Sequence, residues 1–385
     1  MNIENPLQLL GGISPAQFMR DYWQKKPLLI RGAIPGFTPL LGRAELFDLA
    51  AQDDVESRLV VRKPQAADAE PDWTLRRGPF GRRALPALRQ PGWTILVQGV
   101  DLYDQRVFDL MAQFRFVPDA RLDDLMISYA SDTGGVGPHF DNYDVFLLQA
   151  QGRRRWRIGR QKNKRLLDGV PLKILADFSP EQDFVLEPGD MLYLPPQWAH
   201  DGIAEGECMT YSIGFKSPDQ PELASALLQR LADQASDALD PLIYKDADQV
   251  AVAEPARLPE GLVSFAKASL EAVLADPEAL RRALGEYLSE PKANVWFDTT
   301  DTPEATDLPP GDLHLDRRTR MLYDDQHIYI NGEGYRAGGR DARLLQRLSD
   351  QRTLPAKQAA QLSAAARALV LQWNDSGWVF TVDTE

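Results

Sequence analysis

Residues 1–215 carry short apolar runs separated by turn residues, and this pattern limits the fold more than any other feature. The runs lie at 28–32, 93–99, 124–130, 144–150, 155–159, 190–196 and 208–215. Turn sequences such as Thr133-Gly134-Gly135 and Glu187-Pro188-Gly189-Asp190 stand between them. Many strand-length runs between tight turns are typical of a sandwich or a barrel. We therefore predict a mainly β domain over residues 1–216, with short helices at 15–22 and 43–51.

The pattern becomes helical after Ser217. Leucines at 223, 227 and 231 form an apolar stripe within 219–238, and similar patterns follow at 262–274 and 277–288. Leu270, Val273 and Leu274 add apolar surface beyond what a linker needs. Helices that cannot bury such a stripe alone tend to pair with a second copy, and two-fold dimers are the commonest result. We predict a helical dimerisation region over 217–297; packing onto the barrel in a monomer is the alternative.

The last part of the chain combines a hairpin with helices. A Pro- and Asp-rich linker is predicted at 298–312. Asn331-Gly332 follows an alternating run and favours a two-residue hairpin turn. Helices at 341–349 and 355–374 and a strand at 378–382 complete the pattern. We predict a winged-helix-like domain over 298–385.

Composition excludes several classes of protein. The single cysteine, Cys208, excludes a disulfide framework and thiolate metal clusters. No apolar run reaches the length of a membrane span, and the N-terminus lacks the pattern of a secretory signal. We expect a cytoplasmic protein.

The charge is distributed unevenly along the chain. The net charge is −13, and residues 219–316 carry 20 acids against 7 bases, whereas 317–385 carry 8 acids against 10 bases. Such a small basic excess predicts no direct DNA binding by the last domain. The acidic segment favours a basic protein partner, or it only solvates helix surfaces.

Two of the four histidines have the spacing of a metal site. His139 and Asp141 stand two residues apart, so on a strand their side chains share one face. His200 follows a later predicted strand and could supply a third ligand. Two histidines and one carboxylate form the facial triad of non-haem Fe(II) oxygenases, because O₂ and a co-substrate need open positions. His314 and His327 lack such surroundings.

An arginine run supplies a candidate co-substrate anchor. In residues 153–157, strand alternation places Arg154 on the face of Trp156 and Ile158, and the other arginines on the opposite face. An inward arginine needs an anionic partner, and a dicarboxylate such as 2-oxoglutarate fits a guanidinium. Ser128 could add a hydroxyl to the same carboxylate, or it is a core serine bonded to the backbone.

The sequence as a whole resembles the JmjC-type ribosomal oxygenases. The matching segments are Trp23–Arg31, Asp123–Tyr129, Gly134–Phe146, Gly152–Arg157 and Leu186–Pro196. The resemblance implies a double-stranded β-helix (a jelly roll of the cupin and JmjC type), a helical dimerisation region and a C-terminal winged helix. It implies that His139, Asp141 and His200 bind Fe(II), and that Ser128 and Arg154 bind 2-oxoglutarate, which is a co-substrate together with O₂. It implies hydroxylation of an arginine side chain in a large-subunit ribosomal protein, or of a histidine, as in some members.

Candidate substrate contacts lie beside the metal motif. They are Phe140, Tyr143, Asp144 and Asp132. A substrate guanidinium needs carboxylates near it, and an aromatic ring can stack on it. Asp144 could instead cap its loop, and Tyr143 could belong to the core. The competing functions are a non-enzymatic cupin-like binding module and a zinc hydrolase, which would not require Arg154.

Overall fold

The computed structural model describes residues 2–63, 72–238, 240–299 and 308–383. The chain divides into two compact units, Met1–Ser217 and Pro218–Glu385. Residues 300–307, which make up most of the predicted linker, lie outside the described residues. No helix in the described ranges has the length and apolar character needed to cross a membrane.

The first unit is built on one large antiparallel sheet. Its strands are β1 (Leu28–Ile30), β2 (Ser57–Lys63), β3 (Asp72–Arg77), β4 (Trp93–Val97), β5 (Leu122–Ala130), β6 (Val145–Gly159), β7 (Gln182–Leu186), β8 (Met191–Leu194) and β9 (Ala199–Phe215). The strand order is β1-β8-β6-β9-β5-β4-β2-β3, and β7 pairs with β6. The helices of this unit are α1 (Pro15–Asp21), α2 (Arg43–Leu49) and α3 (Gln105–Ala112).

Strand alternation gives this sheet two different faces. On β9, Met209, Tyr211 and Ile213 belong to the main hydrophobic core, which includes side chains of α1, α2 and α3. Their neighbours Thr210 and Ser212 line a cavity on the opposite face. Because successive side chains of a strand point to opposite faces, each long strand serves both the core and the cavity. The predicted double-stranded β-helix is confirmed.

Several strands differ from the sequence-based expectation. The predicted strands at 144–150 and 155–159 are one strand, β6, which changes register against β9 around Gln151. Gly152 permits this bend: its φ is +64°, and a Cβ there would lie 2.1 Å from the carbonyl oxygen of Glu207. The strand expected at 208–215 begins earlier, at Ala199. Strands β2, β3 and β7 and helix α3 were not predicted from the sequence.

The second unit combines helices with two small sheets. Its helices are α4 (Gln220–Ala238), α5 (Glu260–Leu274), α6 (Pro277–Ser289), α7 (Gly339–Gln351), α8 (Ala356–Ala359) and α9 (Ala364–Asp375). Its strands are β10 (Asp312–Leu315), β11 (Met321–Tyr323), β12 (His327–Ile330), β13 (Glu333–Arg336), β14 (Thr353–Leu354) and β15 (Val379–Val382). The sheet orders are β14-β10-β15 and β11-β12-β13.

The hairpin prediction in this unit is confirmed. Ile330 pairs with Glu333, which leaves Asn331 and Gly332 as the two turn residues, with φ of +47° and +91°. Positive φ at both positions is the geometry that Asn-Gly favours. The helix expected at 355–374 is in fact two helices, because Ser363 caps a new helix: its hydroxyl accepts a hydrogen bond from the backbone N–H of Ala366.

Helix α6 packs against the sheet of this hairpin. Gly285 lies so close to Tyr329 that a Cβ would be 2.4 Å from the ring. The backbone N–H of Gly332 also donates a hydrogen bond to the hydroxyl of Ser289 at the end of α6. The domain boundary predicted between residues 297 and 298 therefore falls between α6 and the hairpin strands that α6 contacts.

Candidate metal and co-substrate site

Three predicted metal ligands meet at one wall of the cavity. His200 Nε2 lies 3.7 Å from Asp141 Oδ2, and His139 Nε2 lies 4.0 Å from the same oxygen. Their ligand atoms all fall within 4.8 Å of one another. His139 and Asp141 do not share a regular strand as expected. Instead, an isolated β-bridge links His139 to His200. The backbone N–H of each residue donates to the carbonyl oxygen of the other, at 3.0 and 2.8 Å.

Both histidines are oriented by backbone carbonyls. His139 Nδ1 lies 2.9 Å from the carbonyl oxygen of Gly137, and His200 Nδ1 lies 3.0 Å from that of Trp198. A carbonyl only accepts, so each Nδ1 carries the proton and donates it. Each Nε2 is then left with a lone pair directed towards Asp141. This tautomer is the one that binds a metal through Nε2.

Burial keeps His200 neutral. Desolvation, together with the nearby His139, lowers the pKa of His200 to about 4, although Asp141 acts in the opposite direction. A neutral imidazole is the metal-binding form. The donor set of two imidazoles and one carboxylate fits Fe(II).

The floor of the same cavity holds a buried arginine. Arg154 is 4% exposed, and its Nη1 donates to the hydroxyls of Ser128 at 3.2 Å and Thr210 at 3.3 Å. Its Nη2 donates to the carbonyl of Gly202 at 3.2 Å, and its guanidinium lies 5.1 Å from the ring of Trp156.

Arg154 has no carboxylate partner among the described residues. Its Nε and the indole Nε1 of Trp156 are buried without a hydrogen bond, as is the hydroxyl of Thr94 on another wall of the cavity. Burial lowers the pKa of Arg154, which records the cost of keeping this cation away from water. A buried cation and unsatisfied donors at a cavity floor fit a carboxylate ligand.

The neighbouring arginines confirm the predicted alternation. Arg153 and Arg155 lie on the outer face, where both form ion pairs with Glu205, at 3.4 and 2.9 Å. Arg155 also pairs with Asp183 at 2.8 Å. Their charges are balanced at the surface, whereas that of Arg154 is directed into the cavity.

The four candidate substrate contacts separate into two groups. Phe140 and Tyr143 line the cavity. Asp144 does not, because its carboxylate is fully buried and accepts hydrogen bonds from Tyr193 at 2.6 Å and Gln24 at 3.0 Å. Asp132 is exposed and accepts a hydrogen bond from the backbone of Gly206 at 2.7 Å. The structure thus gives both aspartates structural contacts outside the cavity.

The cavity has a volume of about 400 Å³ and contains residues that the sequence analysis missed. They are polar side chains on strands β2, β5 and β9 and next to β4: Arg58, Gln98, Asp123, Asp124, Thr210 and Ser212. The alternation in 208–215 could have revealed the last two, since they occupy the positions between the core residues of that strand. Besides Asp141, the aspartates that line the cavity are Asp123 and Asp124, and not the predicted Asp144 and Asp132.

The described fold and site define the class: a JmjC-type oxygenase. A family model for the JmjC domain matches residues 109–223, and one for the ROXA-like winged helix matches 272–380. The ribosomal protein uL16 3-hydroxylase of Escherichia coli (strain K12) is 33% identical over 324 residues, covering 82% of this chain and 84% of that protein. A probable ribosomal oxygenase of Haemophilus influenzae is 30% identical over 396 residues, covering 95% and 96%.

Solved structures agree over nearly the whole chain. The crystal structure of E. coli ycfD has a TM-score of 0.81 and 29% identity, and the alignment covers 95% of this chain and 98% of that one. The structure of E. coli YcfD in complex with cobalt and 2-oxoglutarate has a TM-score of 0.77 and 30% identity, covering 95% and 97%. The chain belongs to the ribosomal oxygenases, in the group of the uL16 3-hydroxylase.

Proposed function

We propose that this protein is an Fe(II)- and 2-oxoglutarate-dependent hydroxylase that acts on an arginine side chain of ribosomal protein uL16. The proposal rests on one observation: a single cavity holds both a cluster of metal-binding side chains and a buried cation. One wall holds the cluster of His139, Asp141 and His200, and the floor holds Arg154 with no carboxylate partner among the described residues. A related protein of the family is a uL16 3-hydroxylase, and E. coli YcfD binds cobalt and 2-oxoglutarate.

Each residue has a defined task in this proposal. His139, Asp141 and His200 hold the metal, and the carbonyls of Gly137 and Trp198 keep the two imidazoles in the required tautomer. When bound, Fe(II) and 2-oxoglutarate supply the oxidation of a C–H bond by O₂, and 2-oxoglutarate becomes succinate and CO₂.

The co-substrate end of the cavity is prepared before binding. Ser128 and Thr210 hold the Arg154 guanidinium in place from one side, and the ring of Trp156 covers it. Arg154 would therefore bind the distal carboxylate of 2-oxoglutarate without reorganising. Preorganised charge of this kind is worth more in a water-poor cavity than at a surface.

The substrate end of the cavity suits a cation. Asp123 and Asp124 supply negative charge, and the ring of Tyr143 supplies an aromatic face. Asp124 already accepts a hydrogen bond from the backbone of Gly99 at 3.1 Å, which fixes its orientation. A guanidinium between a carboxylate and an aromatic ring gains both a charge-assisted hydrogen bond and a cation–π contact. An arginine is therefore a better occupant than a histidine, which is the alternative substrate.

The activity can be tested with uL16 peptides. Purified protein, Fe(II), 2-oxoglutarate and a peptide that contains the candidate arginine should release succinate, and the peptide should gain the mass of one oxygen atom. The same peptide with lysine in place of that arginine is the control. Absence of succinate with every uL16 peptide, or an unmodified arginine beside a modified histidine, would contradict the proposal.

We further propose a homodimer formed through the helical region. The exposed apolar side chains of α5 and the segment before it are numerous: Leu242, Ile243, Val250, Val252, Leu258, Leu262, Val263, Leu270 and Leu274. Exposed apolar side chains in such number are more typical of a protein interface than of a free surface. We also propose a cytoplasmic location, which the proposed ribosomal protein substrate supports.

A further inference from the structure

Three polar side chains cross one wall of the cavity on neighbouring strands. Arg58 lies on β2, Gln98 directly follows β4, and Asp124 lies on β5. These strands are adjacent in the sheet in the order β5-β4-β2, and all three side chains line the cavity. Alternation explains their common face, because the side chains two positions away on each strand also line the cavity. We call Arg58, Gln98 and Asp124 the polar row.

Hydrogen bonds connect the polar row in one direction. Arg58 Nη2 donates to Gln98 Oε1 at 2.7 Å, and Gln98 Nε2 donates to Asp124 Oδ2 at 3.3 Å. A guanidinium only donates and an ionised carboxylate only accepts, so a single orientation of the Gln98 amide satisfies both neighbours. Each bond has a charged partner, which makes it stronger than a bond between neutral groups. Arg58 thus determines which end of the Gln98 amide faces Asp124.

The polar row holds the carboxylate of Asp124 by one of its two oxygens. Oδ2 accepts hydrogen bonds from Gln98 and, at 3.1 Å, from the backbone N–H of Gly99. Oδ1 lies on the side of Gly214, where a Cβ would be 3.5 Å from it. Gly214 lines the cavity as well. Two donors therefore fix the plane of the carboxylate, and its other oxygen lies beside a glycine that leaves space in the cavity.

Packing alone does not account for the cation in this row. The cavity is proposed to receive a guanidinium, and a fixed guanidinium on the same wall would repel it. In addition, Arg58 Nε is buried without a hydrogen-bond partner among the described residues, which is unfavourable. An apolar side chain could fill the same space without either disadvantage. The hydrogen bond to Gln98 is the contribution that an apolar side chain could not make.

We propose that Gln98 and Arg58 are positioning residues that hold Asp124 in place for the guanidinium of the substrate arginine. Gln98 acts through Asp124, and Arg58 acts through Gln98. The inference rests on the proposed function, because that function assigns Asp124 to the substrate arginine. A carboxylate that is already oriented loses less conformational freedom when its partner binds, so the polar row raises the affinity for the substrate.

Peptide binding without turnover tests the proposal. The full-length protein is mixed with Co(II) and 2-oxoglutarate, and the fluorescence anisotropy of a labelled uL16 peptide with the candidate arginine gives its Kd. Gln98→Leu should raise this Kd roughly tenfold and Arg58→Met roughly threefold, since hydrogen bonds to charged groups are lost. Arg58→Lys should stay close to the wild type, because an ammonium also only donates. A lower Kd for Arg58→Met would show that Arg58 only repels the substrate and would overturn its positioning role.

A double-mutant cycle separates positioning from a general structural effect. In an Asp124→Asn background, Gln98→Leu should change the Kd by less than about twofold, because the residue through which Gln98 acts has already been altered. Additive effects of the two changes would overturn the proposal. Gln161→Leu is the matched control, since Gln161 forms two hydrogen bonds with the backbone of Ser179 and lies outside the cavity. This variant should bind the peptide as the wild type does.

Kinetic measurements distinguish this inference from the proposed function. In Gln98→Leu the KM for the peptide should rise, whereas the KM for 2-oxoglutarate and the affinity for Co(II) should keep their wild-type values. A raised KM for 2-oxoglutarate would indicate a general disturbance of the cavity and would contradict a positioning role. An equal Kd for the peptide in Gln98→Leu and the wild type would overturn this inference alone. Peptide binding without hydroxylation would contradict the proposed function alone, and no binding of any uL16 peptide by the wild type would contradict both.

Discussion

Arg154 Nη1 and Ser128 Oγ lie 3.2 Å apart at the floor of the cavity, on two strands that do not pair with each other. Strand β9 runs between them and contributes Thr210 to the same guanidinium. The three side chains prepare a cationic site that is shielded from water.

Replacing Arg154 by alanine should weaken the binding of 2-oxoglutarate. The change removes a charge-assisted contact of roughly 2–5 kcal/mol, which corresponds to at least about 30-fold in apparent affinity. Succinate release measured against 2-oxoglutarate concentration gives this value. Arg153→Ala is the control, because Arg153 lies on the outer strand face with Glu205. Equal effects of the two variants would mean that the arginine run acts only as a diffuse positive field.

Replacing Asp141 by asparagine should reduce metal affinity by roughly 100-fold or more, since it removes the only anionic ligand of the cluster. Co(II) absorption titration measures the binding directly and does not depend on turnover. His314→Gln serves as the control, because His314 stacks on Phe380 and lies outside the cluster. Unchanged Co(II) affinity in the Asp141 variant would place the metal elsewhere.

Asp324 should stabilise the second unit in a pH-dependent manner. Burial acts to raise its pKa, but hydrogen bonds from the Tyr329 hydroxyl and from the backbone of Gln326 and His327 lower it overall. A lowered pKa in the folded state gives stability that is present above the unfolded value of about 3.9 and is lost as pH falls through the folded value.

Urea denaturation of wild type and Asp324→Asn at several pH values tests this. The variant should be less stable by about 1–3 kcal/mol at neutral pH, and the difference should shrink below about pH 4. Asp325→Asn, at the exposed neighbouring position, should show almost no difference at either pH. A difference in unfolding free energy that grows as the pH falls would contradict the prediction.

Replacing Gly285 by alanine should destabilise the packing of α6 on the hairpin sheet. The new methyl group would overlap the ring of Tyr329, and overpacking of this kind costs about 1–3 kcal/mol. Thermal unfolding reports the change. Gly338→Ala is the matched control, since a Cβ at Gly338 meets no atom within 4 Å. Equal stability of the two variants would show that α6 does not pack as described.

The helical region should hold two copies together. Light scattering at micromolar concentration should give twice the chain mass of 43.1 kDa. Leu270→Glu with Leu274→Glu should give the monomer mass, because charges would replace exposed apolar side chains on α5. Ile3→Glu, an exposed apolar position in the first unit, should leave the dimer intact. A wild-type mass near that of one chain would exclude the dimer.

Alternation of side chains along strands was the most productive signal in the sequence. It placed Arg154 inward with Trp156 and Ile158, because the period of two depends only on local backbone geometry. The turn at Asn331-Gly332 was predictable for the same reason, since positive φ at both residues is a local preference. The spacing of His139 and Asp141 indicated a shared metal, although the two residues do not lie on a regular strand.

Only the tertiary structure decided which distant side chains meet. The pairing of β9 with both β5 and β6 brings Thr210 to Arg154 and His200 to His139, and register over such separations is set by the packing of the whole sheet. The same packing buries Asp144 against Tyr193 and leaves Asp124 in the cavity. The local sequence around the two aspartates could not predict this difference in their positions. The sequence thus determined which reactive side chains are present and which face of a strand each one occupies. Long-range strand pairing determined which of these side chains meet at the site.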